Sequence, residues 1–171
     1  MSDRSAKLEK MRLWDALVRR RDAEREQRKT AIQVIRGNEV PLENNQLGLI
    51  RWYMHPDIDD TIIRSLISYI QEIPPGSRSG RLKCQGGQTM YIIEGRGHTI
   101  LDGVRHDWKQ GDAVNLPLRP DGNIVQHFND DADTTVRFLL TENNWVDCMG
   151  IDRGVGFELL EPSPDYQPPA S

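Results

Sequence analysis

The sequence is poor in cysteine and in long apolar runs, and each shortage excludes a class of protein. Two cysteines in 171 residues cannot build the disulfide framework of a small secreted domain. No apolar run approaches the roughly 20 residues that a membrane-spanning helix needs, and the N-terminus lacks the apolar segment of a signal peptide. We therefore expect a soluble, cytoplasmic protein without a membrane partner, long enough to bury its own core.

Charge is unevenly spread along the chain. Residues 1–36 carry 11 Lys and Arg against 6 Asp and Glu, a net +5, and the remainder carries 11 against 20, a net −9. The stretch from Ser2 to about Lys29 has no Pro or Gly and is predicted to form an N-terminal α-helix. Its apolar stripe, at spacings of three and four residues, consists of Leu8, Met11, Trp14 and Val18.

The basic run Arg19 to Arg21 admits two interpretations. It could bind phosphate, but nucleic-acid binders usually add aromatic residues or a wholly basic domain, whereas the rest of this chain is acidic. We therefore predict no nucleic-acid partner. The apolar stripe is expected to dock on the body of the protein or on a second copy, with the charges facing water.

After Gly37 the pattern changes to short β-branched and aromatic segments separated by turn residues, about ten residues apart. This predicts an all-β antiparallel sandwich or barrel. The predicted organisation is a helical arm over 1–36, a barrel over 37–161 and an extended or disordered tail over 162–171. Predicted strands cover 32–35, 47–54, 67–73, 80–84, 89–94, 97–101, 104–108, 113–116, 124–129, 135–142 and 156–160.

Two motifs with fixed spacing lie between Pro75 and Asn129. The first runs from Gly76 to Gly95. The second consists of Gly111, Pro117, Gly122 and Asn129, with a small insertion after the proline. Their frame resembles the two motifs of the cupin family, whose members are small jelly-roll barrels. The resemblance implies a cupin-type jelly-roll β-barrel preceded by the N-terminal helix.

The family's metal-ligand positions are substituted in this chain. Metal-dependent cupins hold a divalent ion with three His and one Glu, and the resemblance places Leu82, Cys84, Gln88 and Val125 at those positions. Leu and Val cannot ligate a metal, and neutral Gln replaces Glu poorly. The resemblance thus implies a barrel without its usual metal site, and the cofactor stays unknown.

One imidazole remains on the predicted inner face, because strand alternation puts His127 and Asn129 on the side of Val125. Three interpretations stay open. His127 could join Cys84 and Gln88 in a non-standard site for zinc, copper or iron. It could be a satisfied interior group bonded to Gln88 or Asn129. Or it could be a general acid or base, with Cys84 as nucleophile or wall residue.

The predicted pocket is mostly apolar, since Met90 shares the inward parity of Gln88. Arg81 or Arg137 could reach it and pair a carboxylate, although an exposed arginine paired with an acid is the plainer interpretation. We predict that the barrel binds or transforms a small, aromatic-derived organic acid. Isomerase, hydrolase or lyase chemistry is favoured over ring-cleaving dioxygenation, which relies on the missing ligands, and a non-catalytic binding protein is the alternative.

The remaining predictions concern assembly, Cys148 and the other histidines. In the cupin family N-terminal segments often cross to a neighbour, so the helix and the strand Leu47 to Met54 predict a homodimer. Cys148 is interpreted as a small buried hydrophobe. The other three histidines, interpreted as surface or edge residues, are His55, His98 and His106.

Overall fold

The computed structural model describes residues 2–151 and 156–169. The chain divides into two compact units, Met1–Val34 with Asp60–Ile62, and Ile35–Asp59 with Ile63–Ser171.

The first unit contains two helices where the sequence predicts one. They are α1, Asp3–Glu9, and α2, Leu13–Thr30. The Ser2 hydroxyl caps α1 by accepting a hydrogen bond from the Ser5 N–H at 3.3 Å. Between the helices Arg12 leaves the helical region (φ −96°, ψ 78°), and its guanidinium pairs with Asp15 in the first turn of α2 at 2.9 Å. An acid there favours a new helix start, because it faces the positive end of the helix dipole.

The predicted strand at 32–35 is wrong. Ile32 makes a single parallel bridge to Thr61, and its N–H donates to the Asp60 carbonyl at 2.8 Å. One bridge of this kind, without a continuing ladder, leaves the neighbouring residues in irregular structure.

Within the described residues, the second unit has eleven strands, a 3₁₀ turn at Gly37–Glu39 and a short helix α3, Val146–Met149. The strands are β1, Glu43–Asn45; β2, Gly48–Met54; β3, Leu66–Ile73; β4, Arg81–Cys84; β5, Gln88–Glu94; β6, Arg96–Leu101; β7, Val104–Lys109; β8, Ala113–Leu116; β9, Asn123–Asn129; β10, Val136–Asn143; and β11, Phe157–Glu161. Ten match predicted strands to within two residues at each end. The sequence analysis missed β1 and α3.

The strands form two antiparallel sheets. One has the order β1-β2-β3-β10-β5-β8 and the other β11-β4-β9-β6-β7. Along β10, Val136, Phe138 and Leu140 are buried, and the residues between them are partly exposed. This period of two is what a strand with one face on a core requires. Residues from both sheets meet in the core, including Phe138 of β10 and Trp108 of β7.

The described part of the tail, residues 162–169, is turn and coil. Ser163 is buried, its N–H donates to the Gln46 carbonyl at 2.9 Å and its hydroxyl donates to the Arg78 carbonyl at 3.1 Å. The Asn44 amide donates to the Asp165 carbonyl at 2.8 Å. These bonds hold the segment beside the β1–β2 hairpin.

Candidate functional site

A cavity of about 740 Å³ opens at one end of the barrel interior. Its walls come from both sheets and are mainly apolar, with Trp52 of β2, Ile67 of β3 and Leu82 of β4 among them. The polar side chains that point into it include Cys84, Gln88, Glu142 and Tyr69. We call these four residues, with Leu82, the open end of the barrel.

Three polar groups of the open end form a chain of contacts. Gln88 and Glu142 lie directly opposite each other on β5 and β10, and the Gln88 amide Nε2 donates to Glu142 Oε2 at 2.7 Å. The Cys84 sulfur lies 4.0 Å from Gln88 Oε1. An amide is well suited to this position, because its oxygen accepts from the thiol while its nitrogen donates to the carboxyl group.

Burial alters the acidity of these groups. It raises the pKa of Glu142, and the hydrogen bond from Gln88 opposes the rise. It also raises the pKa of Cys84, an effect that the Gly86 N–H opposes and the charge of Glu142 reinforces. The pKa of Tyr69 is raised by burial first and by Glu142 next. The thiol and the phenol are therefore neutral near pH 7, and Glu142 is the group best placed to exchange a proton.

A second polar cluster lies deeper in the barrel and consists of Thr99, Trp108, His127 and Asn129. We call it the sealed end. The Trp108 indole donates to Thr99 Oγ1 at 2.9 Å, and that hydroxyl lies 2.8 Å from His127 Nδ1. Since an indole can only donate, the Thr99 hydroxyl accepts from Trp108 and shares a second hydrogen bond with His127 Nδ1. Burial lowers the pKa of His127 to about 4, so this imidazole is neutral.

The sealed end depends on a close backbone approach at Gly97. A Cβ atom there would lie 2.0 Å from the Phe128 carbonyl oxygen and 2.6 Å from the Trp108 ring, so a side chain has no room. Asn129 fastens the turn that follows β9. Its Nδ2 donates to the carbonyls of Ile73, Pro74 and Thr134 at 2.8–3.0 Å, and its Oδ1 accepts from the Asp131 N–H at 2.8 Å.

The structure separates the residues that the sequence analysis grouped together. Leu82, Cys84 and Gln88 line the cavity. Four others are buried in the core outside the cavity lining, namely Met90, Val125, His127 and Asn129. Arg81 pairs with Glu161 at 3.7 Å, and Arg137 lies 3.8 Å from Glu72 and 4.0 Å from Glu94. His127 bonds to Thr99, where the sequence analysis named Gln88 or Asn129 as its partner.

Glu142 and Tyr69 are two polar cavity residues that were not predicted from the sequence. Both carry a detectable signal, because each continues an alternating series of inward-facing residues. Glu142 follows Val136, Phe138 and Leu140 on β10 at intervals of two. A charged residue in register with an apolar strand face predicts a buried carboxyl group, which is a candidate for function when it meets a cavity.

The open end does not fit the divalent metal that cupins commonly hold. Leu82 and Val125 face each other across β4 and β9 with side chains that cannot ligate. The Gln88 amide is engaged with Glu142, and Cys84 is held as a neutral thiol. Neither Cys84 nor His127 belongs to a cluster of three or more metal-binding side chains in the described residues. We derive no metal-dependent step here.

The described residues hold one such cluster, formed by His98, Asp107 and Asp130 on the other side of the five-stranded sheet. His98 Nδ1 lies 2.8 Å from Asp130 Oδ2, and Arg105 donates to both aspartates at 2.8 Å. These bonds already engage both carboxylates. His98 is buried and stacks on Phe128, contrary to the surface position predicted for it, and Cys148 is exposed where a buried position was predicted.

Comparison with known proteins identifies the fold. No protein-family model and no curated protein matches the sequence. The polyketide cyclase RemF from Streptomyces resistomycificus aligns with a TM-score of 0.56 and 16% identity, over 78% of this chain and 89% of its own. A predicted oxalate decarboxylase from Thermotoga maritima aligns with a TM-score of 0.50 and 21% identity, over 64% of this chain and 96% of its own.

Salicylate 1,2-dioxygenase from Pseudoaminobacter salicylatoxidans, whose structure contains adducts with gentisate, aligns with a TM-score of 0.54 and 11% identity. The alignment covers 70% of this chain and 31% of the dioxygenase, so this chain spans about a third of that protein's length. The predicted cupin-type jelly-roll fold is confirmed. At these identities the likeness establishes the fold alone. No described helix is both long and apolar enough to cross a membrane.

Proposed function

We propose that this cupin-fold chain binds a small aromatic-derived molecule in the cavity at the open end, without a metal ion. The observation that carries the proposal is an apolar cavity of about 740 Å³ containing a buried carboxyl–amide pair. A space of this size suits a small organic ligand, and a few convergent polar groups in apolar walls are typical of ligand sites. The sequence alone predicts that this ligand is an organic acid.

Filling the cavity tests the proposal. Leu82 lies in the cavity wall between Val125 and Leu159 of the neighbouring strands, so Leu82→Trp should occupy the ligand's space. Leu118→Trp is the matched control, because Leu118 is 66% exposed. Calorimetric titration with 2-naphthol should show binding to the wild type and the control and at least about a tenfold loss in Leu82→Trp. Equal binding by all three proteins would contradict the proposal.

The metal-free part of the proposal has its own measurement. Elemental analysis of the untagged protein should find less than one tenth of a metal ion per chain, since no cavity-lining residue belongs to a cluster of three or more metal-binding side chains in the described residues. Stoichiometric metal that disappears in both Cys84→Ser and His127→Ala would overturn this part and revive the non-standard metal site.

A second candidate function is acid–base catalysis on the bound molecule. The observation that favours it is Glu142, a buried carboxyl group with a raised pKa that faces the cavity. As a base it would take a proton from carbon beside a carbonyl group, leaving the electron pair on the carbonyl oxygen as an enolate, and then return a proton. Isomerases and lyases use such a step.

Hydrogen exchange tests this second candidate. Deuterium entry into 2-tetralone, followed by NMR in D₂O, should be accelerated by the wild type at least about a hundredfold more than by Glu142→Gln. Equal exchange rates with the wild type and Glu142→Gln would contradict acid–base catalysis by Glu142 and leave ligand binding as the function.

We also propose a homodimer and a cytoplasmic location. The first unit carries exposed apolar side chains on its helices, including Trp14 at 73% and Leu17 at 62%, and a second copy with an acidic body would suit this basic, apolar surface. Both cysteines are free thiols, which suits a reducing compartment. Gel filtration of the full chain and of a chain starting at Gly37 tests the dimer: a shortened protein that remains dimeric would exclude the helices as the contact.

A further inference from the structure

We propose that the ligand of the open end is an uncharged aromatic compound whose hydroxyl group donates a hydrogen bond to Glu142, and that organic acids are disfavoured. The inference rests on the proposed function and names the ligand class for the same cavity. It follows from which charged groups line the cavity and which of them are already paired.

The described lining residues include three acids and one histidine but no Lys or Arg. The acids are Glu43, Asp57 and Glu142, and the histidine is His55. His55 is engaged by Asp57, whose N–H lies 3.2 Å and whose Oδ2 lies 3.7 Å from His55 Nδ1. Among the lining residues that the structure describes, the three acids thus face no Lys or Arg. A carboxylate entering the cavity would meet the carboxyl group of Glu142 between apolar walls, with no described Lys or Arg to compensate.

The arginines that an organic acid would need are engaged elsewhere. Arg78 donates to Glu161 at 2.9 Å, and Arg81 lies 3.7 Å from the same carboxylate. Arg137 lies between Glu72 and Glu94. None of the three is among the described cavity-lining residues, so the plainer of the two interpretations, an arginine paired with an acid, describes them.

Glu43 and Glu142 differ in whether a carboxylate oxygen is left to accept a hydrogen bond from a ligand. Glu43 has both oxygens occupied, one by the Asn45 amide at 2.8 Å and the other by the Trp52 indole at 3.0 Å. Glu142 accepts from Gln88 with Oε2 only, and within the described residues Oε1 receives no hydrogen bond. A ligand hydroxyl can donate to that oxygen, forming the strong bond between a neutral O–H and a carboxylate. The apolar walls then cover the ring that carries the hydroxyl.

Three naphthalene probes of nearly equal shape separate the ligand classes: 2-naphthol, 2-naphthoate and protonated 2-naphthylmethylamine. Calorimetric titration at pH 7 should give the naphthol at least about tenfold tighter binding than the naphthoate. Glu142→Gln should weaken naphthol binding by about tenfold and leave naphthoate binding unchanged or stronger, because the negative charge is removed while the shape is kept. Glu94→Gln, an exposed acid that faces Arg137, is the control and should change neither.

The outcomes distinguish this inference from the proposed function. If none of the three probes binds, or if Leu82→Trp leaves naphthol binding intact, the proposed function fails and the inference with it. If the probes bind and Leu82→Trp blocks them, but the naphthoate or the amine binds more tightly than the naphthol, the inference alone is overturned. Unfolding of each variant, followed by circular dichroism, establishes that it is folded before titration.

Discussion

The two ends of the barrel interior use their polar side chains in opposite ways. At the sealed end, Asn129 and His127 are tied to neighbouring groups, and their bonds fix strands and a turn. At the open end, the contacts from Cys84 through Gln88 lead to Glu142, a carboxyl group that faces a cavity. The difference teaches that a buried polar residue marks a functional site only when one of its atoms is left available to a ligand.

Removing Asn129 should have the largest effect on stability. Asn129→Ala removes the donor to the carbonyls of Ile73 and Thr134, one of two donors to the Pro74 carbonyl, and the acceptor of the Asp131 N–H, so we expect a loss of about 4 kcal/mol in the free energy of unfolding. Urea denaturation measures it. The control is Asn115→Ala, an exposed residue bonded to Thr89, for which a loss below about 0.5 kcal/mol is expected. Equal losses of unfolding free energy in Asn129→Ala and Asn115→Ala would contradict a structural role for the sealed end.

Acid should weaken the sealed end through His127. The pKa of its imidazole is 6.5 in the unfolded chain and about 4 in the folded one, so the stabilisation is complete above pH 6.5 and is lost as the pH falls towards 4. The loss amounts to up to about 3 kcal/mol. The free energy of unfolding, measured by urea denaturation, should therefore fall more steeply between pH 7 and pH 4.5 for the wild type than for His127→Gln. His106→Gln, at an exposed position, is the control and should show the same dependence of stability on pH as the wild type. If the stability of His127→Gln falls as steeply as that of the wild type, His127 is not the group responsible.

The open end should respond to pH with the opposite sign. Because burial raises the pKa of Glu142, its contribution is complete at low pH and is lost as the pH rises through the folded-state pKa. Glu142→Gln should therefore stabilise the chain at pH 8 by roughly 1 kcal/mol, since it removes a buried charge and keeps an acceptor for Gln88. Thermal unfolding at pH 8 and pH 5 measures this, with Glu94→Gln as the exposed control. A variant that is less stable than the wild type at pH 8 would contradict the account.

The smallest expected effect concerns the reactivity of the Cys84 thiol and not the stability of the fold. Its thiol is buried and its pKa is raised, whereas Cys148 is exposed. With each single-thiol variant, Cys148→Ser and Cys84→Ser, reaction with a thiol reagent at pH 7.5 should be at least about tenfold slower at Cys84 than at Cys148. Comparable rates would show that the thiol is ionised and accessible, and would restore it as a candidate nucleophile.

The sequence carries the fold because turn residues and period-two strands are local signals. The strands β2 to β11 are all recognisable in this way, and the spacing from Gly76 to Asn129 identifies the cupin frame. Local signals do not predict which side chains meet in the candidate site. His127 has the inward parity expected of it, but whether it faces a cavity or Thr99 depends on how the two sheets pack. For Arg137 the sequence leaves both a cavity position and an ion pair open, because a strand pattern does not name a pairing partner such as Glu72.

The carboxyl group of Glu142 tests the central claim most directly. In protein labelled with ¹³C at the glutamate carboxyl carbon, the Glu142 signal can be assigned by its absence from Glu142→Gln. We predict that it titrates above the ordinary range for glutamate and that 2-naphthol, added at constant pH, shifts this signal while leaving that of Glu94 unchanged. A Glu142 signal that titrates at the ordinary glutamate pKa and does not move with the ligand would contradict the account.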